Sequence, residues 1–210
     1  MKRAFIYTGG KIFPPRISER PGEGDLILSA DAGYLNAKSL GVTPQIAVGD
    51  FDTMDASEVE ESVERISVPA EKDESDTRLA VGIALARGAN DITIVGGLGG
   101  RLDHTLSNLS LLEELEGRGV HARITDGCNR IRLLKDGGAL IPRSEFSYLS
   151  LIPLSDKVKG VTVEGCKYPL KKATLTRTNA SFSLSNEIVG NCALVEARRG
   201  SVWIVESVDS

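Results

Sequence analysis

The chain has 210 residues, of which 41% are hydrophobic and 26% charged, with a formal net charge of −4. That length builds one large domain or two small ones, and the missing Lys/Arg block excludes a nucleic-acid binder, whose affinity rests on basic surface. Three widely spaced cysteines, Cys128, Cys166 and Cys192, with no Cys-x-x-Cys, exclude a zinc site and read as reduced, buried thiols.

Residues 1–124 alternate strand and helix signals. Strands are predicted at 3–8, 25–30, 46–48, 65–68, 91–95 and 121–125. Helices are predicted at 32–40, 56–64, 76–87 and 103–118. In the third helix Leu79, Ile83 and Ala86 recur at helical spacing, and in the fourth Leu106, Leu109 and Leu112 share a face. Gly41, Gly88 and Gly119 stand where helices should stop. Strands alternating with helices imply an α/β domain with a parallel sheet.

Residues 125–210 read as a separate all-β domain, a small sandwich or barrel. Short runs rich in Val, Ile, Leu, Thr and Ser recur at 131–134, 148–153, 160–163, 175–177, 193–198 and 202–206, with Gly, Pro and Asn between them. Lys135-Asp-Gly-Gly138 reads as a hairpin turn, and Trp203 as core. The apolar run behind Met1-Lys-Arg is too short for a signal peptide, and no run approaches the roughly 20 residues of a membrane span. The expectation is a cytoplasmic protein with no membrane partner.

Candidate chemistry collects at strand ends, where open α/β sheets bind ligands. Asp50 and Asp52 follow the third strand; two apart in extended backbone, they point the same way and can share a cation such as Mg²⁺. Lys72, Asp73 and Asp76 precede the third helix, where Ser75 or Asp76 also serves as a cap. The run from Gly96 to Gly100, including Gly97 and Gly99, sits between a strand and a helix, the context of a phosphate cradle, though it matches neither a Walker loop nor Gly-x-Gly-x-x-Gly. Arg101, Asp103 and His104 close that run. Asp31-Ala-Gly33 ends the second strand and adds a further loop to the same crevice. Each piece alone also fits a plain turn or cap; together they describe a metal–polyphosphate site. Asp50-Phe-Asp-Thr53 alone also fits a haloacid-dehalogenase-like phosphatase with Asp50 as nucleophile, but that motif belongs on a first strand, and two strands precede it here.

In order, Ala30-Asp31-Ala-Gly33, Gly49-Asp50-Phe-Asp52-Thr53, Lys72-Asp73-Glu-Ser-Asp76, Gly96-Gly-Leu-Gly-Gly-Arg101-Leu-Asp103-His104, Asn108-Leu109 and Ser183-Leu-Ser185-Asn186 resemble the thiamine pyrophosphokinase family nearly end to end. The resemblance implies transfer of pyrophosphate from ATP to thiamine, giving thiamine diphosphate and AMP, by an α/β catalytic domain followed by a β-sandwich. It implies that Asp50, Asp52, Asp73 and Asp76 face Mg²⁺ and the ATP phosphates, and that Asp31, Gly33, Lys72, the glycine loop and His104 line the nucleotide site. Arg101 and Asp103 would complete the nucleotide and thiamine side, with Asp76 or Asp103 positioning or deprotonating the thiamine hydroxyl. Ser183, Ser185 and Asn186 would meet the thiamine. It further implies a homodimer with sites at the subunit interface. Ser75 stands where the family often carries Thr; both supply a hydroxyl.

Overall fold

The computed structural model describes residues 1–50, 59–68 and 74–209. It divides into two compact units, Met1–Gly127 and the segment from Cys128 onward.

The first unit carries strands β1 (Arg3–Tyr7), β2 (Leu26–Ala30), β3 (Ile46–Gly49), β4 (Glu64–Ser67), β5 (Asp91–Val95) and β6 (His121–Thr125). They pair in the order β6-β5-β1-β2-β3-β4, every pairing parallel. All five residues of β5, Asp-Ile-Thr-Ile-Val, are buried, as befits a strand covered on both faces. Helices α1 (Gly33–Ser39), α2 (Asp76–Ala86) and α3 (Leu102–Gly117) alternate with the strands. Gly41, Gly88 and Gly119 follow them at φ 71°, 84° and 69°, the left-handed geometry that ends a helix cheaply only at glycine. The chain runs outward from β1 to β4 on one side, then returns to place β5 and β6 on the other. The direction of winding therefore reverses between β1 and β5, and the crevice beyond the carboxyl ends of such strands is where these sheets bind ligands.

Three sequence expectations change in this unit. The helix over 56–64 does not form in its described part: residues 59–63 are irregular, with a turn at 61–62, and β4 starts at Glu64, while 56–58 lie outside the described residues. Val59 and Val63 are instead buried with Tyr34 and Ala47, and the Glu60 N–H donates to the Tyr34 hydroxyl at 3.1 Å. That backbone donor is spent on a tertiary contact. On α2 the buried face is Thr77, Ala80, Val81 and Ala84, while Leu79 and Ile83 are half-buried and Ala86 is exposed. Small side chains let the helix lie close to the sheet, and the larger ones flank it. On α3 the buried residues are Asn108, Leu111, Leu112 and Leu115, and Leu106 is 57% exposed. A stripe repeating every third residue drifts around a helix of 3.6 residues per turn.

The second unit is β-rich: β7 (Asn129–Pro142), β8 (Tyr148–Pro153), β9 (Lys157–Glu164), β10 (Leu170–Thr176) and β11 (Cys192–Ser207). β11 pairs antiparallel with β7 along nearly its whole length; its first half also pairs with β9 and its second with β8. Leu149, Leu151, Val158, Val161, Val163, Val195, Val202 and Ile204 share the core, and Trp203 is buried as expected. The predicted hairpin at 135–138 does not occur. β7 runs straight through it, with Lys135 opposite Ser201 and Gly137 opposite Ala197. The partner strand carries Arg198-Arg199-Gly200 as a bulge, and the Asp136 carboxylate, at φ 46°, accepts the Gly200 N–H at 2.7 Å. The glycines serve a bend shared by two strands rather than a reversal. Glu206, 1% exposed, is held by Arg130 at 2.7 and 2.9 Å and by Arg132 at 2.5 Å, which ties β11 to β7. Losing either arginine would leave a buried carboxylate short of compensation.

Candidate active site

A cleft of about 480 Å³ opens in the first unit at the point where winding reverses. Its walls are Thr8-Gly9-Gly10-Lys11 after β1, Ala30-Asp31-Ala32 after β2, Ser75-Asp76-Thr77 entering α2, the glycine loop and Arg101 after β5, and His104 and Asn108 on α3. The volume lies within the range of small-molecule sites. The N-termini of both α2 and α3 meet the cleft, where the helix dipole favours an anion.

Backbone proximity explains the glycines. A Cβ on Gly10 would stand 1.9 Å from the Gly96 carbonyl oxygen, and one on Gly33 would stand 2.0 Å from the Tyr7 oxygen. The loops after β1 and β5 are thus in backbone contact, and α1 starts flush against the end of β1. Gly96, Gly99 and Gly100 take φ 85°, 80° and 70°, which lets the loop turn back across the cleft. Two amides pin the walls. Asn36 on α1 donates to the Thr8 and Gly10 carbonyls at 2.6 and 2.8 Å, and Asn108 donates to the Gly97 carbonyl at 2.9 Å.

Of the predicted residues, Asp31, Asp76, Gly97, Gly99, Gly100, Arg101 and His104 come together in this cleft. Asp31 takes φ 47°, tolerable for Asp, and its N–H donates to Val48 at 2.8 Å. Asp50 does not line the cleft itself but follows Gly49, whose Cβ would lie 3.2 Å from the Asp31 Cα. Asp103 lines an adjoining recess with Ser75, His104, Ser107 and Asn108. Its carboxylate takes two hydrogen bonds from Arg101, at 2.6 and 3.2 Å. The Arg101 hydrogen bonds hold the Asp103 carboxyl below its ordinary range, and Asp103 in turn raises Arg101. Ser75 caps α2, its Oγ accepting the Arg78 N–H at 3.3 Å, and Arg78 bonds Glu114 to join α2 to α3. Asp52, Lys72 and Asp73 lie outside the described residues.

The second unit holds a smaller, apolar pocket of about 90 Å³ lined by Leu149, Leu151, Val163, Leu170 and Phe182, with Ser183 and Asn186 among its polar members. Tyr168 and Phe182 form its exposed rim. The Ser183 hydroxyl donates to the Leu151 carbonyl at 2.5 Å. Asn186 is bound on both sides of its amide: Oδ1 accepts the Tyr168 N–H at 2.9 Å, and Nδ2 donates to the Tyr168 carbonyl at 2.7 Å. Ser185 does not line the pocket; at φ 54°, its N–H donates to the Ser150 hydroxyl at 3.0 Å.

Sequence reasoning missed the loop after β1, although Gly9-Gly10 directly behind a strand is the same signal that marked the loop after β5. It also missed Asn36, whose importance depends on contacts 26 and 28 residues away, and Tyr168 and Phe182, which look like ordinary apolar residues. The phosphatase alternative loses its footing, because Asp50 follows β3 with β1 and β2 ahead of it.

Comparison with known proteins bears on the same two regions. Residues 22–124 match the profile described as thiamin pyrophosphokinase, catalytic domain, and residues 139–202 that of its vitamin B1 binding domain. Thiamine pyrophosphokinase of Bacillus subtilis (strain 168) is 31% identical over 215 residues, covering 100% of both chains. The crystal structure of a Bacillus subtilis thiamine pyrophosphokinase superposes with a TM-score of 0.89 at 28% identity, each chain covered in full. That of a thiamin pyrophosphokinase family protein from Enterococcus faecalis gives 0.82 at 31%, again over all of both chains. The Candida albicans enzyme, 18% identical with a TM-score of 0.77 over 99% of this chain and 89% of its own, shares the fold. The chain therefore belongs to the thiamin pyrophosphokinase family, ATP-dependent enzymes that convert thiamine to thiamine diphosphate.

Proposed function

We propose that the cleft between the loops after β1 and β5 holds the ATP polyphosphate and that the apolar pocket of the β-rich unit receives the thiamine ring. The observation that carries this reading is the convergence of two glycine loops, two helix N-termini and the carboxylates of Asp31 and Asp76 on one cleft. Anions need the first two, and a cation accompanying them needs the third.

Mg²⁺ fits these residues: the cleft offers carboxylate oxygens, with Asp50 one residue beyond a contact of Asp31. Among the described residues no three potential ligands form a closed metal cluster. Phosphate oxygens and water would complete the coordination of such an ion. Asp31, Asp50 and Asp76 would hold it, joined by Asp52 and Asp73. When bound it would offset charge developing between the α- and β-phosphates as AMP departs.

The chain's own groups supply the rest. Arg101, aligned by Asp103, presents its remaining N–H donors to phosphate oxygens. Asp103 is a weak base, because the Arg101 bonds stabilise its ionised form. Asp76, at the start of α2, is the better candidate to accept the proton of the thiamine hydroxyl as that oxygen attacks the β-phosphorus. The small β pocket holds one ring rather than a whole substrate. This supports a homodimer in which the catalytic unit of one subunit completes the thiamine site of the other. Of the three cysteines, Cys128 and Cys166 are buried as expected and Cys192 is exposed; all three are free thiols, which supports a cytoplasmic location. Among the described residues no helix is long and apolar enough to cross a membrane.

The test is product analysis. ATP, Mg²⁺ and thiamine should give AMP and thiamine diphosphate in equal amounts. ADP with thiamine monophosphate would refute the reading, and free phosphate would restore the phosphatase.

A further inference from the structure

We propose that Lys11, on the loop after β1, is a phosphate-binding residue of the nucleotide cleft, held in place by the Asn36 clamp; this rests on the cleft's being the ATP site.

The topology puts it there. β1 is one of the two strands between which the winding reverses, so the loop leaving its carboxyl end faces the crevice directly. Lys11 lines the cleft together with the glycine loop after β5. The loop does not hang free: Asn36 fixes the carbonyls on either side of Gly9, and Gly10 rests against the Gly96 carbonyl. A lysine two bonds of chain beyond such a clamp is delivered to a fixed place.

The charge balance of the cleft points the same way. ATP brings about four negative charges at neutral pH, and Asp31 and Asp76 add two carboxylates to the walls. Arg101 lines the cleft with its charge largely answered by Asp103, at 2.6 Å. Lys11 has an exposed ammonium lying 4.9 Å from the centre of the Phe13 ring. A ring face is a weak partner for a solvated ammonium, and a phosphate oxygen is a stronger one. The Phe13 contact stores the side chain along the loop, with its charged end able to swing to a phosphate.

The structural alternative is that Lys11 merely packs its stem on Phe13 and stiffens the loop. The two roles separate by ligand. Wild type, Lys11→Ala and Lys11→Arg are titrated calorimetrically with MgATP and with adenosine. Lys11→Ala should weaken ATP binding roughly tenfold or more, the effect of one charge-assisted hydrogen bond, while adenosine binding stays unchanged. Lys11→Arg should recover most of the loss. Asn36→Ala should also weaken ATP, and adding it to Lys11→Ala should cost less than the two separate losses combined, because both act through one contact. Unchanged ATP affinity in Lys11→Ala overturns the proposal, and so does an equal loss for ATP and adenosine. If wild type itself does not bind ATP, the assignment of the cleft fails, which is a different result from a wild type that binds and a variant that binds equally well.

Discussion

The cleft of the α/β unit and the pocket of the β-rich unit are built from different materials. The cleft is made mostly of backbone: glycine loops, in which the Cβ positions of Gly10 and Gly96 are occupied by neighbouring carbonyls, and the N-termini of two helices. Its side chains add charge. The pocket is made of apolar side chains, and its polar members are already occupied, Asn186 with Tyr168 and Ser183 with Leu151. The first arrangement suits a polyphosphate, which offers many acceptors and little shape. The second suits a flat ring, for which shape does most of the work.

The largest effect should follow from breaking the charge side of that contrast. Asp76→Asn keeps the shape of the α2 entrance and removes a carboxylate from the cleft. Turnover should fall about a hundredfold or more, with the fold intact by circular dichroism and the loss only partly relieved at high Mg²⁺. Near-normal rates at low Mg²⁺ would reduce Asp76 to a member of the helix's first turn.

A smaller effect is expected in the β pocket. Asn186→Ala releases the Tyr168 backbone at the rim of the pocket, where both lost bonds are exposed and water can replace them, so the cost falls on the shape of the pocket more than on stability. The thiamine KM should rise roughly tenfold, while the ATP KM hardly moves. Equal rises in both would mean that the two regions are not separate in function. Mixing Asn186→Ala chains with Asp76→Asn chains then reports on assembly. A site shared between subunits lets a mixed dimer keep one intact site and regain activity; no recovery in a verified heterodimer places each site within one chain.

The smallest effect concerns Asp103. Its folded-state carboxyl lies below the ordinary value because Arg101 hydrogen-bonds the ionised form. The pair therefore contributes stability that is fully present above the unfolded value, near 3.9, and lost as pH falls through the lower folded value. Both side chains are well exposed, at 74% and 63%, so solvent screens the contribution. Wild type should melt slightly above Asp103→Asn from pH 8 to pH 5, and the difference should close below about pH 4. Turnover of Asp103→Asn should fall only severalfold, since an amide still accepts one bond from Arg101. A loss as large as that of Asp76→Asn would make Asp103 the proton acceptor.

How much of this was legible in the sequence follows from the same contrast. Glycine and aspartate in combination at a strand end are legible, and Asp31, Gly96–Gly100 and Arg101 carry that signal into the cleft; Gly9-Gly10, with no aspartate beside it, does not. The strands of the α/β unit were also legible, since buried parallel strands read as short apolar runs. The helix faces were not. Periodicity favoured Leu106 and Leu79, but Ala80, Ala84 and Leu111 pack inward, because distance to the sheet selects side-chain size. Lys135-Asp-Gly-Gly138 misled for a related reason: a turn signal marks a bend, and whether the strand reverses or continues depends on a partner at Arg198–Gly200. Tyr168 gave no signal at all, because a pocket rim and a core edge use the same residues.

The long strand β11 has a consequence for how the protein is made. β7 pairs along its length with residues 192–207: Pro142 pairs with Cys192 and Asn129 with Ser207. β8 pairs with the same segment, and β9, which pairs with β10 on one side, takes β11 on the other. During synthesis the β-rich unit thus carries unpaired edges until its last strand has emerged, a period of exposure to wrong partners. All six strands of the α/β unit precede β7 in the chain. Nascent chains halted shortly after residue 127 should resist protease in that first unit, while those halted before β11 should lose everything beyond it.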